Sequence, residues 1–230
     1  MPRIKVSLSD DNAKKLTKEW NRIDSIYSKS VASSARISKD LLLRAHVIFF
    51  EKEKRDVFYR AAAVLLPKAI KGQVDISRGD VLGILLQTWN SQYYRFHPWN
   101  NQHYLDIQHL LKQYEKQLSI ISNKEIFSCK EGLQGDEGVV WILFMEFKKV
   151  LGPVGAAKTL HLFAPKYFPL WDRSIANKAY NVSLDEAGYL AMMRVVKIQL
   201  KNIPEIPEVK ATLLKLIDEY NYCHYTKSWL

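Results

Sequence analysis

Residues Val139-Val140-Trp141-Ile142-Leu143-Phe144-Met145 are apolar on every side. A helix without a polar face has to be covered all round, so this segment is expected to be the most buried helix of the fold. No uninterrupted apolar run in the chain reaches the roughly 18 to 20 residues of a membrane span. The opening Met1-Pro2-Arg3-Ile4-Lys5-Val6-Ser7-Leu8 lacks the apolar core of a secretion signal. A cytoplasmic location is expected, nucleoid-associated if the source is prokaryotic, with no membrane partner.

The rest of the chain repeats the helical period around that centre. Strand-like alternation is confined to Ile4–Leu8. Asp10 or Asp11 is positioned to cap a helix through Leu16, Trp20, Ile23 and Tyr27. A second helix runs from about Ser38 through Leu42, Ala45, Phe49 and Phe50 into Glu51-Lys52-Glu53-Lys54-Arg55, which reads as a solvated face or a break. A third carries Val57, Phe58, Ala61, Val64 and Leu65 on its apolar side until Pro67 disturbs it. Asp80 introduces a helix through Val81, Ile84 and Leu85, and another spans Tyr104–Ile121. Ser183-Leu184-Asp185-Glu186 reads as a capping box for a helix through Met192 and Val196. A last amphipathic helix carries Val209, Leu213, Leu216, Ile217 and Tyr220. With only 9 glycines and 8 prolines among 230 residues, eight or nine helices joined by short connections predict an all-α fold.

Lys and Arg number 34 against 24 Asp and Glu, and 16 of the basic residues face only 9 acidic ones within residues 1–75. A phosphate backbone would be a fitting partner, because each contacted phosphate releases condensed counterions. The same balance fits a merely basic protein equally well. Cys129 and Cys223 stand alone, in no metal-type spacing, and read as buried small hydrophobes. His97, His103 and His224 show no ligand spacing, and His161 sits on an apolar helix face as a core histidine. Met192-Met193 reads as core filling. No metal and no cofactor is expected.

The most informative stretch is Leu151-Gly152-Pro153-Val154-Gly155-Ala156-Ala157-Lys158-Thr159, followed by Phe168-Pro169-Leu170-Trp171-Asp172-Arg173-Ser174-Ile175. A buried helix is expected to end near Leu151, a Gly-Pro-x-Gly turn to reverse the chain, and a new helix to begin at about Ala156. Glycine allows close backbone approach, and a fresh helix N-terminus presents unpaired N–H groups that can hold a phosphate. An ordinary tight turn between packed helices is the plainer alternative.

These two segments resemble the helix–hairpin–helix superfamily of DNA base-excision glycosylases, whose pattern is roughly L-P-G-V-G-x-K-T-A and then V-D-x-H-V. Upstream, Leu85-Leu86-Gln87-Thr88-Trp89-Asn90-Ser91-Gln92 resembles that family's helix end and loop, whose polar residues fill the gap left by a flipped base. The three elements span about residues 81–176. The resemblance implies a two-lobed helical fold with a cleft between the lobes: one lobe over 68–165 carrying the hairpin, the other over 1–67 plus 166–230. It implies a hydrolase that cleaves the N-glycosidic bond of a damaged or mispaired base in duplex DNA.

Carried over by position, the resemblance makes Asp172 the carboxylate that supports base departure, by stabilising an oxocarbenium-like sugar or activating the nucleophile. A plain N-cap is its compatible alternative. Lys158 would be the amine that attacks the sugar, although counting from Gly155 puts Ala157 at that position and leaves Lys158 a phosphate contact or surface lysine. Gly152, Val154, Gly155, Ala157 and Arg173 are then the expected backbone contacts. Gln87 and Asn90 are the hole-filling candidates. Trp89, Trp99 and Trp171 are candidate faces for the extruded base, since stacking on an aromatic contributes about 1–3 kcal/mol; packing into the core is the alternative for each. Gly152-Pro153 reverses the family's Pro-Gly order, Ser174 stands where histidine is common, and the Lys158–Asp172 interval is short. No four-cysteine cluster pattern follows, as in a cluster-free branch. Two other functions remain open, a non-catalytic nucleic-acid binder on the same scaffold and a helical protein-interaction domain.

Overall fold

The computed structural model describes residues 10–132 and 135–230, without the side chains of residues 10–13 and 16. It is all-α, with no strand among the described residues. The strand candidate Ile4–Leu8 lies outside them. The order is α1 (Asp10–Ser33), α2 (Lys39–Lys52), α3 (Asp56–Ile70), α4 (Arg78–Trp89), a single turn α5 (Ser91–Tyr94), α6 (Asn101–Gln113), α7 (Glu115–Ile121), α8 (Asp136–Phe163), α9 (Glu186–Leu200) and α10 (Leu213–Asn221). Two short π-helical segments, Ile175–Ala179 and Tyr222–Thr226, flank α9 and α10. No helix among the described residues is long and apolar enough to cross a membrane.

Five of the helices begin where a short polar side chain satisfies an orphan N–H. Ser38 accepts from the Leu41 amide at 3.2 Å, Asn100 from the His103 amide at 2.9 Å and Thr212 from the Lys215 amide at 3.2 Å. Ser77 and Asp80 cap α4 reciprocally. At α9 the cap is Asp185, which accepts from the Gly188 amide at 2.9 Å. The expected Ser183 box does not form, because the N-cap position falls on Asp185, and Ser183 accepts from Arg22 at 3.1 Å.

As its composition requires, α8 is the centre: Gly138–Phe144 are buried and the helix packs on α3, α4, α6, α7 and α9. Around it, α1 lies on α9, α2 on α10 and α3 on α4. One continuous apolar core links these pairs. The expected lobe boundary at 67/68 falls inside α3, whose main partner is α4. The apolar face predicted for α3 is also corrected. Tyr59, Ala62 and Leu66 point inward, while Val57 and Val64 are 48% and 58% exposed. Leu105 of α6 is likewise exposed, and the predicted Tyr104–Ile121 helix breaks at Tyr114 between α6 and α7.

A buried ion pair ties the outer layer to the centre. Arg194 of α9 donates twice to Glu137 of α8, at 2.6 and 2.9 Å, and once to Asp24 of α1 at 2.6 Å. Its guanidinium also lies over the rings of Trp20 and Tyr27, which gives α1 an apolar and an ionic anchor on one side chain.

Candidate functional site

The break in α8 is a single residue. Gly152 adopts φ 68°, ψ 169°, a conformation reserved almost wholly to glycine, and Pro153 starts the next helical stretch. The restart is therefore three residues earlier than the predicted Ala156. A Cβ on Gly152 would stand 2.7 Å from the Tyr93 ring, and one on Gly155 would stand 3.2 Å from the Asn90 amide nitrogen. The α4–α5 corner is thus pressed against the break, and both glycines serve that close approach. Gly155 and Ala157 are buried, so the expectation that their surfaces meet a phosphate is corrected; Val154 is half-exposed and Gly152 is covered by Tyr93.

One turn further on, Lys158 leaves the buried face of α8 and enters a small cavity. Its ammonium donates to the Trp89 carbonyl and lies 5.6 Å from the Trp89 ring centroid. It is 8% exposed. Burial pushes its pKa down to about 8, against the pull of the Asp172 and Asp218 carboxylates. A lysine in that range holds a usable fraction of neutral amine near physiological pH.

Asp172 lines the same cavity. It opens the helical turn that follows Trp171, accepting from the Ile175 amide at 2.7 Å with one oxygen and from the Thr226 hydroxyl at 3.0 Å with the other. The N-cap role is therefore real, and it aims the half-buried carboxylate at Lys158's cavity. Trp171 forms part of the wall: it is buried, meets Phe144 and Tyr189 edge to face, and donates from Nε1 to the Pro153 carbonyl at 3.1 Å. Trp89 forms another wall, stacked on Tyr59 and donating to the Arg55 carbonyl at 2.8 Å.

The remaining sequence candidates lie elsewhere. Trp99 packs on Tyr94 and His103 and borders, with Gln87 and Phe58, a separate surface depression. It does not join the Asp172 cavity, because its ring packs over Gly83 of α4. Asn90 is turned inward toward Gly155, its amide nitrogen buried without a partner, so it is not free to enter a base stack. Gln87 and Arg173 are exposed. His161 is a core histidine, shared between Tyr59 Oη at 2.8 Å and the Phe168 carbonyl at 2.7 Å, and burial lowers its pKa to about 3. Cys129, Cys223, Met192 and Met193 are buried.

Several lining residues escaped the sequence reading. Glu53 and Arg55 come from the charged run after α2, and Asp218 and Tyr222 from α10 and its end. Arg55 donates to Glu53 at 2.8 and 2.7 Å and to Tyr222 Oη at 2.7 Å; Tyr222 in turn donates to Glu53 at 2.6 Å. Burial alone would raise the Glu53 pKa, but these donors outweigh it and hold the carboxyl at about 2. Asp218 has no such donors among the described residues, and burial pushes its pKa up to about 7, with Lys215 opposing.

Behind the cavity lies Lys215, 2% exposed. Its ammonium sits 2.9 Å from Glu219, 3.5 Å from Asp56 and 3.8 Å from Asp218, under the rings of Phe49, Tyr59 and Trp89. Burial opposes its charge, but the three carboxylates prevail and raise its pKa. The only sequence signal was Lys215 at i, i+3 and i+4 from Asp218 and Glu219, a spacing that ordinarily marks a solvated helix face.

The cavity measures about 40 Å³. At roughly 10–15 Å³ per water it has room for about three or four waters. A larger apolar cavity of about 230 Å³ lies away from these groups, near Ile126, Leu200 and Leu214; its charged side chains Glu125, Lys166 and Glu205 pair with one another. No group of three potential metal-ligating side chains comes together among the described residues. Comparison with models of known families, with curated proteins and with solved structures finds no match.

Proposed function

We propose that this chain binds duplex DNA and excises a damaged or mispaired base after flipping it out of the helix. One observation carries the reading: Lys158 and Asp172, singled out by motif and 14 positions apart, line one cavity, and the lysine there has a pKa lowered to about 8. The neutral amine would attack the sugar carbon as the base leaves, and the Asp172 carboxylate would stabilise the positive charge that builds on the sugar. Trp89 offers an aromatic wall beside both groups. The net charge of +10 suits a phosphate partner.

The direct test is incubation with duplexes carrying uracil, hypoxanthine, 8-oxoguanine or alkylated purines, read by release of free base. Borohydride should trap a covalent protein–DNA adduct that is lost in Lys158→Met. Asp172→Asn, which keeps a capping side chain, should bind the same duplexes and release little base. Absence of release from every duplex would remove the reading.

The cavity volume favours a second one. About 40 Å³ is smaller than a nucleobase, as expected of a scaffold that binds nucleic acid without chemistry. That protein would bind duplex DNA with a steep salt dependence and release nothing. Negligible affinity at low salt would point instead to a helical protein-interaction domain.

A further inference from the structure

We infer that Asp218 is the general acid that protonates the departing base, an inference that rests on the excision reading above. The cavity holds two carboxyl groups in contrasting surroundings. Asp172 accepts a hydrogen bond on each oxygen, from a backbone amide and from Thr226. Asp218, on α10, is 7% exposed, and among the described residues it accepts no hydrogen bond at all. Its nearest cation, the Lys215 ammonium at 3.8 Å, is closer to Glu219 at 2.9 Å. A nearly buried carboxyl that lines a cavity and has no donor of its own is a group waiting for a partner from inside that cavity.

Each element around Asp218 contributes charge or a titratable group. Lys215 and Glu219 belong to its own helix, with His46 of α2 held against Glu219 at 2.6 Å. Lys158 comes from α8, Asp172 from the turn after Trp171, and Tyr59 from α3. Arg55 and Glu53 satisfy each other at the exposed side of the cavity. Burial and the neighbouring carboxylates outweigh Lys215, which brings Asp218 to about 7 and keeps a sizeable protonated fraction at neutral pH. Pairs of carboxyls whose environments drive them apart are how one site holds an acid and an ionised group together.

The step balances. As the C1′–N bond breaks, its electron pair leaves on the base, and the Asp218 proton neutralises that charge. The Lys158 lone pair closes on C1′, and the resulting ammonium returns a proton to the Asp218 carboxylate. The products are a free neutral base, a C1′–Nζ bond and a restored acid.

The consequence concerns the substrate. A neutral base such as hypoxanthine needs the proton, whereas a base already cationic, such as 7-methylguanine, does not. Lys158 must be neutral on either duplex, so single-turnover release of 7-methylguanine should rise with pH through about 8 and then level, whereas release of hypoxanthine should peak between about 7 and 8 and fall above that. Asp218→Asn should lose on the order of 10²–10⁴-fold with hypoxanthine, the usual contribution of a positioned acid, and little with 7-methylguanine. The wild-type comparison of the two bases needs no variant and stands if Asp218→Asn folds poorly. Equal losses on both bases, or matching pH profiles in the wild type, would overturn the assignment. Release of no base by the wild type, from these duplexes or from uracil and 8-oxoguanine ones, would instead sink the excision reading beneath it.

Discussion

The Trp171 indole donates to the Pro153 carbonyl at 3.1 Å, joining the cavity wall next to Asp172 to the first turn after the break in α8. Lys158 lies on that same helical stretch. One hydrogen bond therefore helps set the spacing between the two groups that matter most. Trp171→Phe should lose about 1 kcal/mol from the missing bond, and Trp171→Ala about 3–5 kcal/mol from the cavity it leaves. Urea unfolding reads both. If Phe replaces Trp171 without any change in midpoint, the bond is not holding the wall.

Gly152 should tolerate no side chain. Gly152→Ala combines a conformation costing about 1–3 kcal/mol with a contact at 2.7 Å to Tyr93. Adding Tyr93→Ala should relieve the contact but leave the backbone cost, so the two substitutions will not add. A double-mutant cycle on unfolding free energies separates the parts; strict additivity would show that the ring yields freely.

Lys158 should destabilise the protein that carries it. Its folded pKa is about 8, below the 10.5 of a free lysine, so above pH 8 the unfolded chain binds the proton more tightly. The burden is full below pH 8 and lifts as pH rises from 8 to 10.5, by about 3 kcal/mol in all. Lys158→Met should thus show its greatest advantage over the wild type at neutral pH, and that advantage should shrink at alkaline pH. A difference that stays constant from pH 7 to 10 would mean that the ammonium is not strained by burial.

The Arg194–Glu137 pair predicts a different sign. Glu137→Gln leaves a buried guanidinium short of its counter-charge and should cost about 3–5 kcal/mol, with α1 the first helix to exchange its amides. Replacing both partners by apolar residues of similar size should cost less than the single change. Hydrogen exchange that quickens uniformly across the molecule would argue against α1 as the dependent layer.

Much of the helical order was legible because periodicity, caps and the apolar run at Val139–Met145 all pointed one way. Misreadings arose where two faces were comparably apolar. In α3, Val57, Phe58 and Val64 looked like the core stripe, yet packing on α4 selects Tyr59, Ala62 and Leu66. Lys158, Trp89, Trp171 and Asp172 were legible through local motif, which is short-range information. Asp218, Tyr222, Glu53 and Arg55 were not. Their charges sit in stretches that resemble solvated surface, and only the docking of α10 against α2 turns them inward. Trp99 was misplaced for the same reason, since its neighbours in sequence do not say which side of α4 it covers.

Glu53, Arg55 and Tyr222 form a hydrogen-bonded ring in the wall of a cavity of about 40 Å³. A ligand larger than that volume needs the lining to move before it can meet Lys158, and this ring is one part of the lining. Capture then becomes a two-stage event: a collision that speeds up with concentration, followed by an opening that does not. In rapid mixing the observed rate would level off, and the plateau would report how often the lining opens.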